Sequence, residues 1–143
     1  ALGESLRGDR ILLADDDEFN LMIVQDDLNY FIPEVKILVA GDGKEALEKF
    51  ASGSFELVLL DIHMPKLGGA EVASEIRKIE KEKGVTHPIP IIALTANIIP
   101  SEIEKFMKYG MSDYIPKPYR IEEILKKIAF YCLPKTKSEE LPS

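Results

Sequence analysis

Five short apolar runs recur along the chain: Ile11-Leu12-Leu13-Ala14, Val35-Lys36-Ile37-Leu38-Val39-Ala40, Leu57-Val58-Leu59-Leu60, Pro90-Ile91-Ile92-Ala93-Leu94 and, more weakly, Asp113-Tyr114-Ile115-Pro116. Near-continuous apolar character over so few residues predicts strands buried on both faces of a parallel sheet. Between the runs the apolar period lengthens to three and four. Lys44 to Phe50 carries Ala46, Leu47 and Phe50, and Ile121 to Ile128 carries Ile121, Ile124, Leu125 and Ile128, which makes each a helix with one apolar face. A first helix is predicted over about Glu18 to Phe31, stopping near Pro33. A third is predicted over about Gly69 to Lys83, with Gly84 past its basic end, where a glycine cap is favoured. In the first helix Ile23, Val24, Leu28 and Phe31 are expected to face the sheet, leaving Phe19 and Met22 three residues apart on an adjoining face. Five strands alternating with five helices predict a doubly wound α/β sheet, whose ligands bind in the crevice at the carboxyl ends of the strands.

The aperiodic ends, residues 1–9 and 134–143, read as a linker and a linker or tail around one domain at 10–133. A chain of 143 residues is long enough to bury one core. Its 18 Lys and Arg against 25 Asp and Glu leave a net charge of −7, which repels phosphate backbones and anionic lipid, so direct nucleic-acid binding is not expected. With 45% apolar and 30% charged residues the chain is not disordered, and its apolar runs fall far short of the roughly 20 residues that span a bilayer, so no membrane insertion is expected in this segment. The lone Cys132 has no intramolecular partner for a disulfide and no signal peptide opens the chain, so a reducing, cytoplasmic setting is expected. Opening on Ala1, the chain is compatible with a piece of a longer protein or with loss of an initiator methionine.

The chemistry gathers at the predicted strand ends. Strand one runs into Asp15-Asp16-Asp17, strand three into Asp61, strand four into Thr95-Ala96 and strand five into Lys117-Pro118. Carboxylates crowded at the mouth of a buried sheet repel one another unless a cation compensates them, and Mg²⁺ suits oxygen ligands while keeping waters for a phosphate to replace. Each residue also has a plainer role. Asp17 and Glu18 are read as a cap and a dipole partner for the first helix; Thr95 is a possible cap and Lys117 a possible solvated lysine. Asp61 differs, because the next helix begins only after Met64-Pro65-Lys66-Leu67-Gly68-Gly69, which leaves it presented on a loop. The joint placement of these residues at one edge favours a shared site.

The segments ILLADDDEFN, LVLLDIHMPKLGG, IIALTAN and DYIPKP together resemble the response-regulator receiver domains of two-component phosphorelay systems, over about residues 10–132. The separations, 45 residues from Asp16 to Asp61, 34 on to Thr95 and 22 on to Lys117, suit that family. DDDEFN with its Asn20, and LTAN, are most similar to receivers fused to hybrid histidine kinases. The resemblance implies a flavodoxin-like (βα)5 fold with strand order 2-1-3-4-5 and helices on both faces. It implies a phosphoacceptor domain, not an enzyme with an external substrate, located in the cytoplasm or in the cytoplasmic portion of a larger sensor.

Residue by residue, the resemblance makes Asp61 the carboxylate that accepts a phosphoryl group from a partner phosphohistidine, followed by relay or a conformational output and slow autodephosphorylation. Asp15, Asp16, Asp61 and the backbone carbonyl of His63 would hold Mg²⁺, with Asp16 the more direct of the first two. Thr95 would hydrogen-bond the phosphoryl group, the Lys117 ammonium would neutralise it, and Lys117-Pro118 matches the family's cis bond. Thr95 and Tyr114 would form its switch. The partner would be a histidine kinase or histidine phosphotransfer protein docking on Phe19, Met22, Pro118 and Tyr119, with dimerisation left open. The sequence departs from the common pattern at Gly68, where many members carry Asp, which puts the stiffness of that loop in question. The His63 side chain is read as structural or rate-tuning and not as a zinc ligand, since the only other histidine, His87, lies in a Pro-rich turn. His63 and Asn97 are expected to border the path of the water that cleaves the acyl phosphate. Two competing readings are a haloacid-dehalogenase-like phosphatase, which would need an acid where His63 stands, and a pseudo-receiver, which would lack part of the constellation.

Overall fold

The structure, a computed structural model, describes residues 8–64, 67–96, 99–117 and 120–132. Strands and helices alternate as β1 (Arg10–Ala14), α1 (Glu18–Phe31), β2 (Lys36–Ala40), α2 (Gly43–Ser52), β3 (Leu57–Asp61), α3 (Gly69–Lys83), β4 (Ile91–Thr95), α4 (Pro100–Lys108), β5 (Asp113–Pro116) and α5 (Ile121–Cys132). The strands pair in parallel in the order β2-β1-β3-β4-β5. Winding reverses between β1's two neighbours, which opens a crevice beyond the carboxyl ends of β1 and β3.

Alternation of side chains along each strand sorts the core into two layers. Ile11, Leu13, Leu57, Leu59, Ile92 and Leu94 pack with α1 through Leu21, Val24 and Leu28 and with α5 through Ile124 and Ile128. Leu12, Val58, Leu60, Ile91 and Ala93 pack on the other face with Ala46 of α2, Val72 and Ile76 of α3, and Phe106 of α4. Each fully buried Leu or Ile contributes about 2 kcal/mol of transfer free energy, so both faces of the central strands are strongly specified.

Two expectations are corrected. The strand at residues 36–40 is not buried on both faces: it lies at the sheet's edge, it alternates, and Leu38 is 44% exposed. On α1 the buried stripe is Leu21, Val24 and Leu28, while Ile23 and Phe31 are 40% and 42% exposed. Leu21, Val24 and Leu28 follow the three- and four-residue helical period about one axis, which turns Ile23 away from the sheet.

Caps close the helices as their sequences dictate. The Asp17 carboxylate accepts the Phe19 amide at 2.9 Å, Asp42 accepts the Glu45 amide at 2.8 Å, and Gly84 ends α3 in the left-handed region at φ 70°. Just before β1 the Gly8 amide donates to Pro33 O at 3.0 Å, and Asp9 O accepts the Lys36 amide at 2.9 Å. At the amino-terminal edge of the sheet, the half-buried Arg77 guanidinium donates to Glu80 Oε1 at 2.7 Å, Ile89 O at 2.8 Å and Gly110 O at 2.9 Å, tying α3 to the loops that enter β4 and β5. Among the described residues, no helix is long and apolar enough to cross a membrane.

Candidate functional site

The register of the sheet assembles the strand-end residues. Ala14 of β1 stands opposite Leu60, so the next residues, Asp15 and Asp61, fall side by side; Asp61 stands opposite Leu94, and Thr95 opposite Pro116 next to Lys117. Backbone hydrogen bonds from the Asp15 amide to Ala40 O at 3.0 Å and from the Lys117 amide to Thr95 O at 2.9 Å hold these ends in place. Asp15, Asp61 and Thr95 are buried, Asp16 is exposed, and Lys117 is half-buried.

Carboxylate oxygens of Asp15, Asp16 and Asp61 all lie within 4.8 Å of one another. Lys117 Nζ donates to Asp61 Oδ1 at 2.9 Å and stands 3.7 Å from Asp15 Oδ2. Asp15 is oriented by its own loop: its Oδ1 accepts the Asp17 amide at 3.0 Å and its Oδ2 accepts the Asn20 side-chain amide at 3.4 Å. Burial pushes the Asp61 carboxyl above its ordinary range, the Lys117 hydrogen bond opposes the rise, and the charges of Asp15 and Asp16 add to it. At Lys117 burial works against the charge, yet its bond to Asp61 and the three surrounding carboxylates hold the ammonium above its usual range. Burial thus dominates at Asp61, whereas the surrounding carboxylates dominate at Lys117. Among the described residues the cluster sets three carboxylates around the Lys117 ammonium, and an all-oxygen donor set with an exposed member suits a hard divalent ion that keeps its waters.

The loop after Asp61 is shaped by features that the sequence motif alone leaves unexplained. A Cβ on Gly69 would meet the carbonyl oxygen of Asp61 and lie 3.0 Å from Ile62 Cα, so only glycine lets the start of α3 approach the end of β3 this closely. The Gly69 amide donates to Ile62 O at 3.0 Å, and Glu71 reaches back to accept the Gly68 amide at 2.8 Å. Glu71 therefore secures the loop where a side chain at Gly68 is missing. Its position three residues beyond Gly68 is the signal that could have identified it in advance.

Of the other predicted residues, His63 is exposed beside the cluster in sequence, and Tyr114 is half-buried against the layer of α2, α3 and α4. Phe19 and Met22 project from α1 at 63% and 50% exposure, joined by Ile23. Asn97, Pro118 and Tyr119, and with them the Lys117-Pro118 bond, lie outside the described residues.

The sequence model of the response regulator receiver domain matches residues 11–129. The chain is 35% identical over 127 residues to the peroxide stress-activated histidine kinase mak3 of Schizosaccharomyces pombe, covering 87% of this chain and 5% of that protein. It is 36% identical over 114 residues to the sensor histidine kinase GacS of Pseudomonas protegens, covering 80% and 12%. The chain thus spans a small fraction of the length of these relatives. Among solved structures, the co-crystal of the Saccharomyces cerevisiae phosphotransfer protein Ypd1 with the receiver domain of Ssk1 aligns at TM-score 0.81 and 28% identity, over 87% of this chain and 88% of that one. The receiver domain of the Pseudomonas aeruginosa sensor histidine kinase PA1611, with magnesium in its active-site cleft, aligns at TM-score 0.76 and 28% identity, over 87% and 98%. The sheet order, the acidic cluster at its switch point and the sequence match all fall on the same stretch, and the chain belongs to the response regulator receiver domains of two-component phosphorelay signalling.

Proposed function

We propose that Asp61 is the phosphoacceptor of this receiver, that Asp15 and Asp16 hold Mg²⁺ with it, and that Lys117 and Thr95 complete the pocket. The observation that carries the reading is the Asp61 carboxylate, buried at the end of β3 with Lys117 Nζ at 2.9 Å and the Asp15 and Asp16 oxygens within 4.8 Å. In transfer from a phosphohistidine, an Asp61 oxygen attacks phosphorus. The new P–O bond forms as the P–N bond breaks, and the electron pair returns to the imidazole of the donor. Lys117, already bonded to Asp61, is placed to follow the charge from the carboxylate onto the phosphoryl oxygens. The buried Thr95 would donate its hydroxyl to one of them. Bound Mg²⁺ would offset the negative charge that Asp15, Asp16 and Asp61 bring together. The backbone carbonyl of His63 is a further candidate ligand, and the exposed His63 side chain borders the approach of hydrolytic water, so autodephosphorylation belongs to the same site.

A histidine kinase or a histidine phosphotransfer protein is the donor that fits a receiver, and the exposed Phe19, Met22 and Ile23 of α1 form an apolar surface directly after the Asp15–Asp17 turn. Thr95 and Tyr114 form the switch: Thr95 moves toward the bound phosphoryl group and the Tyr114 ring follows it inward. The test is intact mass after incubation with acetyl phosphate and Mg²⁺. The wild type is expected to gain ~80 Da, one phosphoryl group, and Asp61→Asn to remain folded without the gain; an undiminished gain in that variant refutes the assignment.

A further inference from the structure

The Asp113 carboxylate, at the start of β5, joins this edge strand to α5. Its Oδ1 accepts the amide of Tyr114 at 2.8 Å, while its Oδ2 accepts Lys127 Nζ at 2.7 Å and the Tyr131 hydroxyl at 3.1 Å. Lys127 and Tyr131 are one helical turn apart on α5, and the single Tyr131 hydroxyl proton is shared between Asp113 Oδ2 and Ser112 O, the latter at 3.2 Å. Burial and the adjacent Asp113 raise the Tyr131 hydroxyl to about 12, which keeps it a donor through the physiological range. From this anchorage the Lys127 ammonium stands 5.9 Å from the centroid of the Tyr114 ring, within range of a cation–π attraction. The two residues approach from opposite sides of the sheet: α5 packs on the α1 layer, whereas Tyr114 packs on the layer of α2, α3 and α4, so Lys127 reaches round the edge strand to meet the ring.

We propose that Lys127, held by Asp113, is a positioning residue that restrains the Tyr114 ring at the sheet edge and so opposes activation of the receiver. The inference rests on the reading of Tyr114 as the switch. A ring that turns inward leaves the ammonium behind. Activation must therefore overcome an attraction present only in the resting arrangement, and a ligand can shift an equilibrium only by its differential interaction with the two states. The bond to Asp113 is what gives the attraction its direction. A free lysine would follow the ring, whereas this one is tied to the Asp113 carboxylate, whose other oxygen accepts the Tyr114 amide.

The test labels the protein with 3-fluorotyrosine, identifies the Tyr114 resonance with Tyr114→Phe, and follows it while beryllofluoride is titrated in the presence of Mg²⁺. Lys127→Met, which keeps the apolar stem and removes the charge, is expected to lower the beryllofluoride concentration at the midpoint by about two- to five-fold, the range of a partly exposed cation–π contact. Lys127→Arg is expected to restore the wild-type midpoint, and Asp113→Asn, which spares a carbonyl acceptor for the Tyr114 amide but releases Lys127, to act like Lys127→Met. Equal midpoints in wild type, Lys127→Met and Asp113→Asn, with the Tyr114 resonance moving in all three, overturn the restraint and leave the switch reading intact. A Tyr114 resonance that stays still in wild type, while acetyl phosphate still adds its mass to Asp61, overturns the switch reading and the restraint with it.

Discussion

Replacing Gly69 with alanine probes whether the start of α3 sets the position of Asp61, the proposed phosphoacceptor. The alanine Cβ would sit 3.0 Å from Ile62 Cα and 3.1 Å from the Asp61 carbonyl carbon, nearer still to the Asp61 carbonyl oxygen, where ordinary contact begins at 3.4 Å. The backbone must therefore open by at least 3.4 − 3.0 = 0.4 Å, and no side-chain rotamer can absorb the movement because every neighbour is main chain. Overpacking of this kind costs about 1–3 kcal/mol, and the helix-favouring alanine returns less than about 1 kcal/mol at a first-turn position. The net loss of about 1–2 kcal/mol corresponds to a drop of about 5 °C in melting temperature. Because the displaced atoms are those of Asp61, labelling by acetyl phosphate should also slow by about ten-fold, given how steeply reaction depends on the placement of the nucleophile. Gly84→Ala is the control. Its φ of 70° strains an alanine, yet nothing lies within 4 Å of the added Cβ, so it should lose about 1 kcal/mol of stability and label normally. The assay is the initial rate of mass gain at a temperature where both variants are folded, beside a thermal melt. Wild-type labelling by Gly69→Ala, or equal slowing in Gly84→Ala, would refute the steric coupling of α3 to Asp61.

Mg²⁺ should raise the melting temperature of the wild type and a chelator should reverse the rise, whereas Asp16→Asn should blunt the response; equal shifts in both proteins would remove Asp16 from the ligand set. Burial, and next the charge of Glu56, lift the Asp9 carboxyl from 3.8 to about 6. The folded state thus holds this proton more tightly than the unfolded chain does, and the associated stability is lost as pH rises from about 4 through 6. Asp9→Asn should flatten that decline and gain about 1 kcal/mol at pH 7 relative to wild type, the full shift being cut by more than half for a part-exposed group; parallel pH–melting curves would contradict the assignment. Met22→Arg should slow transfer from a phosphohistidine donor protein at least ten-fold while leaving acetyl phosphate labelling near normal, as expected for a buried apolar contact at a docking surface; equal loss with both donors would point to a damaged pocket.

What the sequence determined by itself was the succession of strands and helices and the residues that stand at their ends. Runs such as Leu57–Leu60 and Ile91–Leu94 are apolar at every position, which suits strands covered on both faces. The Asp17 cap and the Gly84 stop are written in single residues at helix ends, and acids placed directly after strands must meet at one edge once those strands are parallel. Tertiary structure decided the rest, because it depends on which neighbour is present. Lys36–Ala40 reads much like the other runs, yet it has a strand on one side only, so Leu38 meets solvent. The apolar residues of α1 outnumber the positions a single stripe can bury, and only docking on the sheet selected Leu21 over Ile23 and Phe31. Gly69 and Glu71 gained their meaning from the Asp61 carbonyl and the Gly68 amide, and Asp113, Lys127 and Tyr131 became one cluster only when α5 was laid along β5. Period and composition are properties of the chain, but a close approach or a shared hydrogen bond belongs to a pair, and the pair exists only after folding.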